Sequence, residues 1–180
     1  MRVGLIAADG HNFPNLALMK IASYHKLRGD TVEWVNYFER YEKVYIAKVF
    51  TFTPDIQTVI QADEVERGGI GYDARKKLPE EIDGMEPDYL IYPVCEWYDG
   101  KTAYGFLTRG CIRKCPWCIV PKKEGKISSY RDIEVVFQGR NSAILMDNNI
   151  LASDFGLQQI EKIVRLGCTV DFNQGLDARL

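Results

Sequence analysis

The first forty residues show a hydrophobic pattern that changes from strand to helix and back to strand. Residues 2–8 are a short, continuous apolar run, which predicts a buried strand. Apolar positions over residues 14–28 fit a helix, and Gly29 follows where a helix ends. Residues 31–36 then alternate like a strand. A strand, a helix and a strand in this order predict a βαβ unit and therefore a parallel sheet.

Weaker patterns continue this first unit up to residue 92. The further elements that they predict are a strand at 44–52, a short helix at 55–62, a short strand at 62–67, an irregular acidic segment at 73–88 and a last strand at 89–92. Together they resemble a Rossmann-like α/β domain over residues 1–92. Residues 93–102 are predicted to be a linker.

A second α/β pattern occupies residues 103–180. It predicts strands at 103–108, 142–146 and 168–172, with a helix at 154–166 before the last of them. The helix carries its apolar residues on one face: Leu157, Ile160 and Val164. We interpret Cys95 and Cys168, which lie in or beside apolar segments, as core residues.

Composition places the chain among ordinary globular proteins, since 46% of its residues are hydrophobic and 27% are charged. No apolar run approaches the roughly 20 residues that a membrane helix needs. The apolar start is too short, and too soon interrupted by charge, for a secretory signal. These features predict a cytoplasmic protein without a membrane partner.

The net charge of −2 conceals a division along the chain. The segment from Lys101 to Arg131 contains eight basic residues and one acidic residue, Glu124. Its formal charge is therefore +7, and the rest of the chain carries −9. The basic segment suits a site that stabilises thiolates or an anionic partner such as a nucleic acid, and a merely solvated loop is the alternative.

Three of the five cysteines lie inside this basic segment. Cys111, Cys115 and Cys118 have the spacing Cys-x3-Cys-x2-Cys. An odd, clustered set in a chain without an export signal favours metal binding or catalysis over disulfides. Three thiolates leave the fourth coordination position of an ion or cluster open. The alternatives are a zinc site that lacks one ligand, for which Cys95 and Cys168 are available but isolated in sequence, and buried thiols without a function.

The segment Gly105-Phe-Leu-Thr-Arg-Gly-Cys-Ile-Arg-Lys-Cys-Pro-Trp-Cys118 resembles the signature of the radical S-adenosylmethionine superfamily. The resemblance implies that the three cysteines bind three irons of a [4Fe–4S] cluster. S-adenosylmethionine would chelate the fourth iron through its amino and carboxylate groups, and Trp117 would pack beside the adenine. The resemblance implies that residues 103–180 are the first part of a partial (β/α)6 barrel, which would then be truncated.

The same resemblance implies roles for polar residues that follow the later strands. Asp147, Asn148 and Asn149 stand where family members hold the methionine amino group. Asn173-Gln174 and Asp177 would contact the substrate. The implied reaction is reductive cleavage of S-adenosylmethionine, which starts radical chemistry on an unknown substrate and requires an electron donor. The basic segment makes an anion one candidate for that substrate. The competing class is a non-catalytic metal-binding or interaction module.

The first unit contains a second, partial resemblance. Asp9-Gly10-His11 is similar to the Asp-x-His motif of cobalamin-binding domains, in which the histidine is an axial ligand. Pro14 stands where that motif continues with glycine. The alternative is a histidine at the surface, or one that caps the following helix, with no cobalamin bound.

Overall fold

A computed structural model describes residues 1–10, 13–92, 99–174, 176–177 and 179. The chain divides into two compact units, Met1–Gly100 and Lys101–Leu180. His11 and Cys95, for which the sequence predicts a cobalamin-ligand role and a core position, lie outside the described residues.

The first unit is an α/β structure built on a four-stranded parallel sheet. Its elements are β1 (Arg2–Ala7), α1 (Leu16–Leu27), β2 (Thr31–Trp34), β3 (Tyr41–Ala47), β4 (Ala62–Gly68), α2 (Glu80–Asp83) and a 3-10 turn (Tyr89–Ile91). The strand order is β2-β1-β3-β4, and every neighbouring pair is parallel. The predicted βαβ unit and parallel sheet are therefore confirmed.

Strand β1 is buried on both faces, which explains its continuous apolar run. One cluster packs Val3 and Leu5 with Leu18 and Ala22 of α1. A separate cluster contains Ile6 and members of β3. Helix α1 begins where the side chain of Asn15 accepts a hydrogen bond from the Leu18 amide at 3.2 Å.

Three predicted elements of this unit differ from the structure, one in its bounds and two in their type. Strand β3 ends at Ala47 rather than 52, because the Asp9 carboxylate accepts hydrogen bonds from the amides of Val49 and Phe50. Residues 55–60 form no helix, although Ile56 and Ile60 pack against the core of the sheet, and most of this segment is exposed. The strand predicted at 89–92 is a 3-10 turn, capped where Asp88 accepts from the Leu90 amide.

The second unit contains a three-stranded parallel sheet and a short antiparallel ladder. Its elements are β5 (Thr102–Gly105), β6 (Thr108–Arg109), α3 (Val120–Lys123), β7 (Ser128–Ser129), α4 (Ile133–Phe137), β8 (Ser142–Leu145), a 3-10 turn (Ile150–Ala152), α5 (Asp154–Leu166) and β9 (Thr169–Phe172). The parallel order is β5-β8-β9, and β6 pairs with β7.

Two details of this unit differ from the prediction. The strand expected at 103–108 is interrupted after Gly105, and its end becomes the separate strand β6. In α5 the predicted apolar face is wrong, because Leu157 and Val164 are 44% and 73% exposed while Gln159 and Ile163 are buried. No helix in the described ranges has the length and apolar character that crossing a membrane requires.

Candidate functional site

The three cysteines lie in a loop whose two ends are held together. We define the cysteine loop as residues 110–127, which leave β6 and return at β7. The β6–β7 ladder pairs Arg109 with Ser128, and the Cys111 amide donates to the Gly125 carbonyl at 3.2 Å. Gly110 has a φ of +83°, and a Cβ there would lie 2.3 Å from the Lys126 carbonyl oxygen. Only glycine allows this close crossing of the loop ends.

Asp147 ties the start of this region to the end of β8. Its carboxylate accepts hydrogen bonds from the Leu107 amide at 3.1 Å and from the amide and hydroxyl of Thr108, the hydroxyl at 2.7 Å. Burial raises the pKa of Asp147, and these bonds offset only part of that effect. These hydrogen bonds satisfy the buried carboxylate of Asp147 without any ligand. Contact between Asp147 and a methionine amino group therefore stays a prediction.

Glu124 holds the other end of the cysteine loop. Its carboxylate accepts from the Gly110 amide at 2.9 Å, from Asn148 Nδ2 at 2.9 Å and from Arg109 Nη2 at 3.0 Å. The side chain is only 10% exposed. Sequence reasoning missed this role, although one signal existed: Glu124 is the single acid among eight bases.

Asn149 contacts a cysteine sulfur directly. Its Nδ2 donates to Cys111 Sγ at 3.5 Å, and the Arg113 amide donates to the same sulfur at 3.3 Å. Asn149 is 1% exposed, and among the described residues its Oδ1 has no hydrogen-bond partner. A buried acceptor without a partner is costly, and a bound N–H donor would satisfy it.

The cysteine side chains themselves are accessible and reduced. Cys111, Cys115 and Cys118 are half-buried and free of disulfides, as is Cys168, which is therefore not the buried core residue expected. Across the described ranges, no group of three or more His, Cys, Asp or Glu side chains is placed to hold a metal ion. The shared metal therefore stays a prediction. So does adenine packing by Trp117, which is 87% exposed.

Two of the basic residues near the cysteines are ion-paired rather than solvated. Arg109, paired with Glu124, also places its guanidinium carbon 3.9 Å from the centroid of the Phe106 ring. Arg113 Nε donates to Asp177 at 3.1 Å. Asp177, predicted as a substrate contact beyond the third strand, is thus brought to the cysteine loop.

In their chemistry alone, the three thiols match the ligands of an iron–sulfur cluster, although the structure does not place them together around one metal. The cysteine loop offers three free, half-buried thiols within eight residues, and one sulfur already receives two N–H donors. Cluster sulfurs accept such bonds in proteins, and the bonds help to set the reduction potential.

In the first unit, the Asp9 carboxylate accepts hydrogen bonds that hold the loop after β3. Besides the two amides after β3, its carboxylate accepts from the Thr53 hydroxyl at 2.6 Å. These bonds fix a loop whose Phe50 and Phe52 rings stack at 5.1 Å and are exposed. The cobalamin expectation stays a prediction.

The fold and the site define a two-unit α/β protein with a three-cysteine loop at the end of a parallel strand. No model of a protein family matches the sequence, and no curated protein matches it at a significant level.

Proposed function

We propose that this chain is a radical S-adenosylmethionine protein whose Cys111, Cys115 and Cys118 hold a [4Fe–4S] cluster. One observation carries the proposal. The cysteine loop follows parallel strand β5 by way of the short strand β6. Three consecutive residues after the neighbouring strand β8, Asp147, Asn148 and Asn149, contact Thr108, Glu124 and Cys111 in turn. In α/β folds, sites form where the carboxyl ends of parallel strands meet. The proposal includes the β5-β8-β9 sheet as the opening part of a partial (β/α)6 barrel.

The chain's residues have distinct roles in this proposal. Three thiolates would bind iron, and the Arg113 amide and Asn149 Nδ2 would donate to Cys111 Sγ. The buried Oδ1 of Asn149 offers an acceptor for the methionine ammonium group. Glu124 and Asp147 keep the two ends of the loop in place.

If bound there, the cluster would supply the electron for reductive cleavage of S-adenosylmethionine, and the residues of this chain would hold and position the two cofactors. An electron-donating partner and a reducing compartment, the cytoplasm, belong to the same proposal.

Anaerobic reconstitution with iron and sulfide tests the proposal. We expect a brown protein with about four irons per chain. Cys115→Ser should lose the iron, whereas Cys168→Ser, a cysteine outside the loop, should retain it. With dithionite and S-adenosylmethionine, the reconstituted protein should release 5′-deoxyadenosine.

Two results would refute this function. One is stoichiometric, tightly bound zinc with no cluster assembly, which would indicate the metal-binding module instead. The other is equal loss of iron from Cys115→Ser and Cys168→Ser, which would mean that the loop is not the iron site.

A further inference from the structure

Two arginines converge on one carboxylate beside the cysteine loop. Asp177 Oδ2 accepts from Arg113 Nε at 3.1 Å and from Arg179 Nη2 at 3.0 Å. Asp177 Oδ1 accepts from Arg179 Nε at 2.7 Å. Arg113 Nη2 also donates to the Arg179 carbonyl at 2.9 Å. The two guanidinium groups are therefore held close together by fixed partners.

This cluster carries an excess of positive charge. The pKa of Asp177 lies well below its usual range. The largest cause is its hydrogen bonding to the Arg179 guanidinium; burial acts in the opposite direction, and the Arg113 guanidinium lowers the pKa further. Asp177 is therefore ionised at neutral pH, and one negative charge faces two positive charges. In the described part of the chain, both arginines form ion pairs with Asp177 alone.

Donor groups remain for a ligand. Among the described residues, Nη1 of neither arginine takes part in a hydrogen bond. Arg179 is 79% exposed at its side chain and Arg113 is 38% exposed, whereas Asp177 is 16% exposed. An approaching anion thus meets the exposed guanidinium groups, because both oxygens of the Asp177 carboxylate already accept hydrogen bonds from the arginine N–H groups. Paired guanidinium edges are well suited to bind phosphate or carboxylate.

The cluster also lies close to the proposed chemistry. Arg113 is in the cysteine loop, and its backbone amide donates to Cys111 Sγ. A molecule bound by these arginines would therefore sit at the cysteine loop.

We propose that Arg113 and Arg179 bind an oxyanion group of the substrate, a phosphate or a carboxylate, and that Asp177 positions the two guanidinium groups. The assignment to the substrate rests on the proposed function. The binding of the anion does not, because it requires no cluster.

Isothermal titration calorimetry of the full chain, with and without reconstituted iron, tests this site. Pyrophosphate is the probe for a phosphate group and succinate the probe for a carboxylate. Arg179→Gln should weaken binding of the preferred probe by about tenfold or more, as expected for a charge-assisted hydrogen bond. Arg179→Lys, which keeps the charge and loses the planar fork, should weaken it less.

Lys114→Gln is the matched control, because it removes one charge from the same loop without touching the arginine cluster. Its binding should stay within twofold of the unmodified chain. Equal weakening by Arg179→Gln and Lys114→Gln would overturn the proposal, since it would indicate only a diffuse basic surface.

Two further outcomes separate this proposal from the proposed function. Absence of binding to either probe in a chain that assembles iron would overturn the anion site and leave the cluster proposal intact. If saturating S-adenosylmethionine abolishes probe binding, the site belongs to the cofactor's own carboxylate and the assignment to the substrate is wrong. Undiminished binding in its presence supports the assignment.

Discussion

Replacement of Glu124 by alanine removes the acceptor that closes the cysteine loop. Three donors lose their partner: the Gly110 amide, Asn148 Nδ2 and the Arg109 guanidinium. The two side-chain donors belong to half-buried residues, which water can reach, so most of the cost comes from the buried Gly110 amide. We expect local opening of the loop to become easier by about 2 kcal/mol, within the range for an unsatisfied buried donor.

Native-state hydrogen exchange measures this change directly. A decrease of about 2 kcal/mol accelerates exchange of the loop-base amides roughly 30-fold when opening is rapid. The Gly110 and Cys111 amides are the probes, since both bond to the far end of the loop. Glu124→Gln, which retains one acceptor oxygen, should accelerate exchange less.

Glu134→Ala is the control, because Glu134 forms an exposed ion pair with Lys162 and its side chain is 61% exposed. Exposed pairs contribute no more than about 1 kcal/mol. Two results would show that Glu124 does not hold the loop. One is exchange at Gly110 that is as fast in the Glu134 variant as in the Glu124 variant, and the other is exchange at Gly110 that Glu124→Ala leaves unchanged.

Three other substitutions have distinct expected outcomes. Burial opposes ionisation of Asp9, but the hydrogen bonds that its carboxylate accepts outweigh burial and lower its pKa. The ionised carboxylate therefore stabilises the fold above the unfolded-state pKa of about 3.9, and this stabilisation is lost as the pH falls. Asp9→Asn should lose less than about 1 kcal/mol at pH 7, and acid titration should show this difference shrinking below about pH 4. His25 is 3% exposed and contacts the Tyr45 hydroxyl at 3.0 Å; His25→Ala should cost about 2–4 kcal/mol in urea unfolding, and His25→Gln less. Gly110→Ala should reduce iron retention more than Gly125→Ala, because both have positive φ but only the first would place a Cβ against backbone.

Sequence reasoning succeeded where the pattern is local. The apolar run of β1 and the helical spacing of α1 each reflect burial of neighbouring positions, so a short window contains the whole signal. The position of the cysteines directly after a strand was visible for the same reason. Even the end of α5 followed from one residue, since Gly167 adopts a φ of +65°.

It failed where a boundary depends on a distant carboxylate. Asp9 ends β3 from 40 residues away, and Asp147 interrupts the strand after Gly105 from a similar separation. Both act on backbone amides, which every residue except proline carries, so no side-chain pattern identifies the partner. The same reason explains why the Glu124–Gly110 bond could not be predicted.

The contacts between the end of β8 and the cysteine loop also determine when the site can form during synthesis. Asn149 follows Cys111 by 38 residues, and Asp147 follows Thr108 by 39. At about 5–20 residues per second, ribosomes take roughly 2–8 s to add that length. For most of this interval the three thiols have been made but Asp147 and Asn149 have not. Under the proposed function, cluster loading would therefore follow completion of β8, and the thiols of the growing chain would meet oxidants before these contacts form.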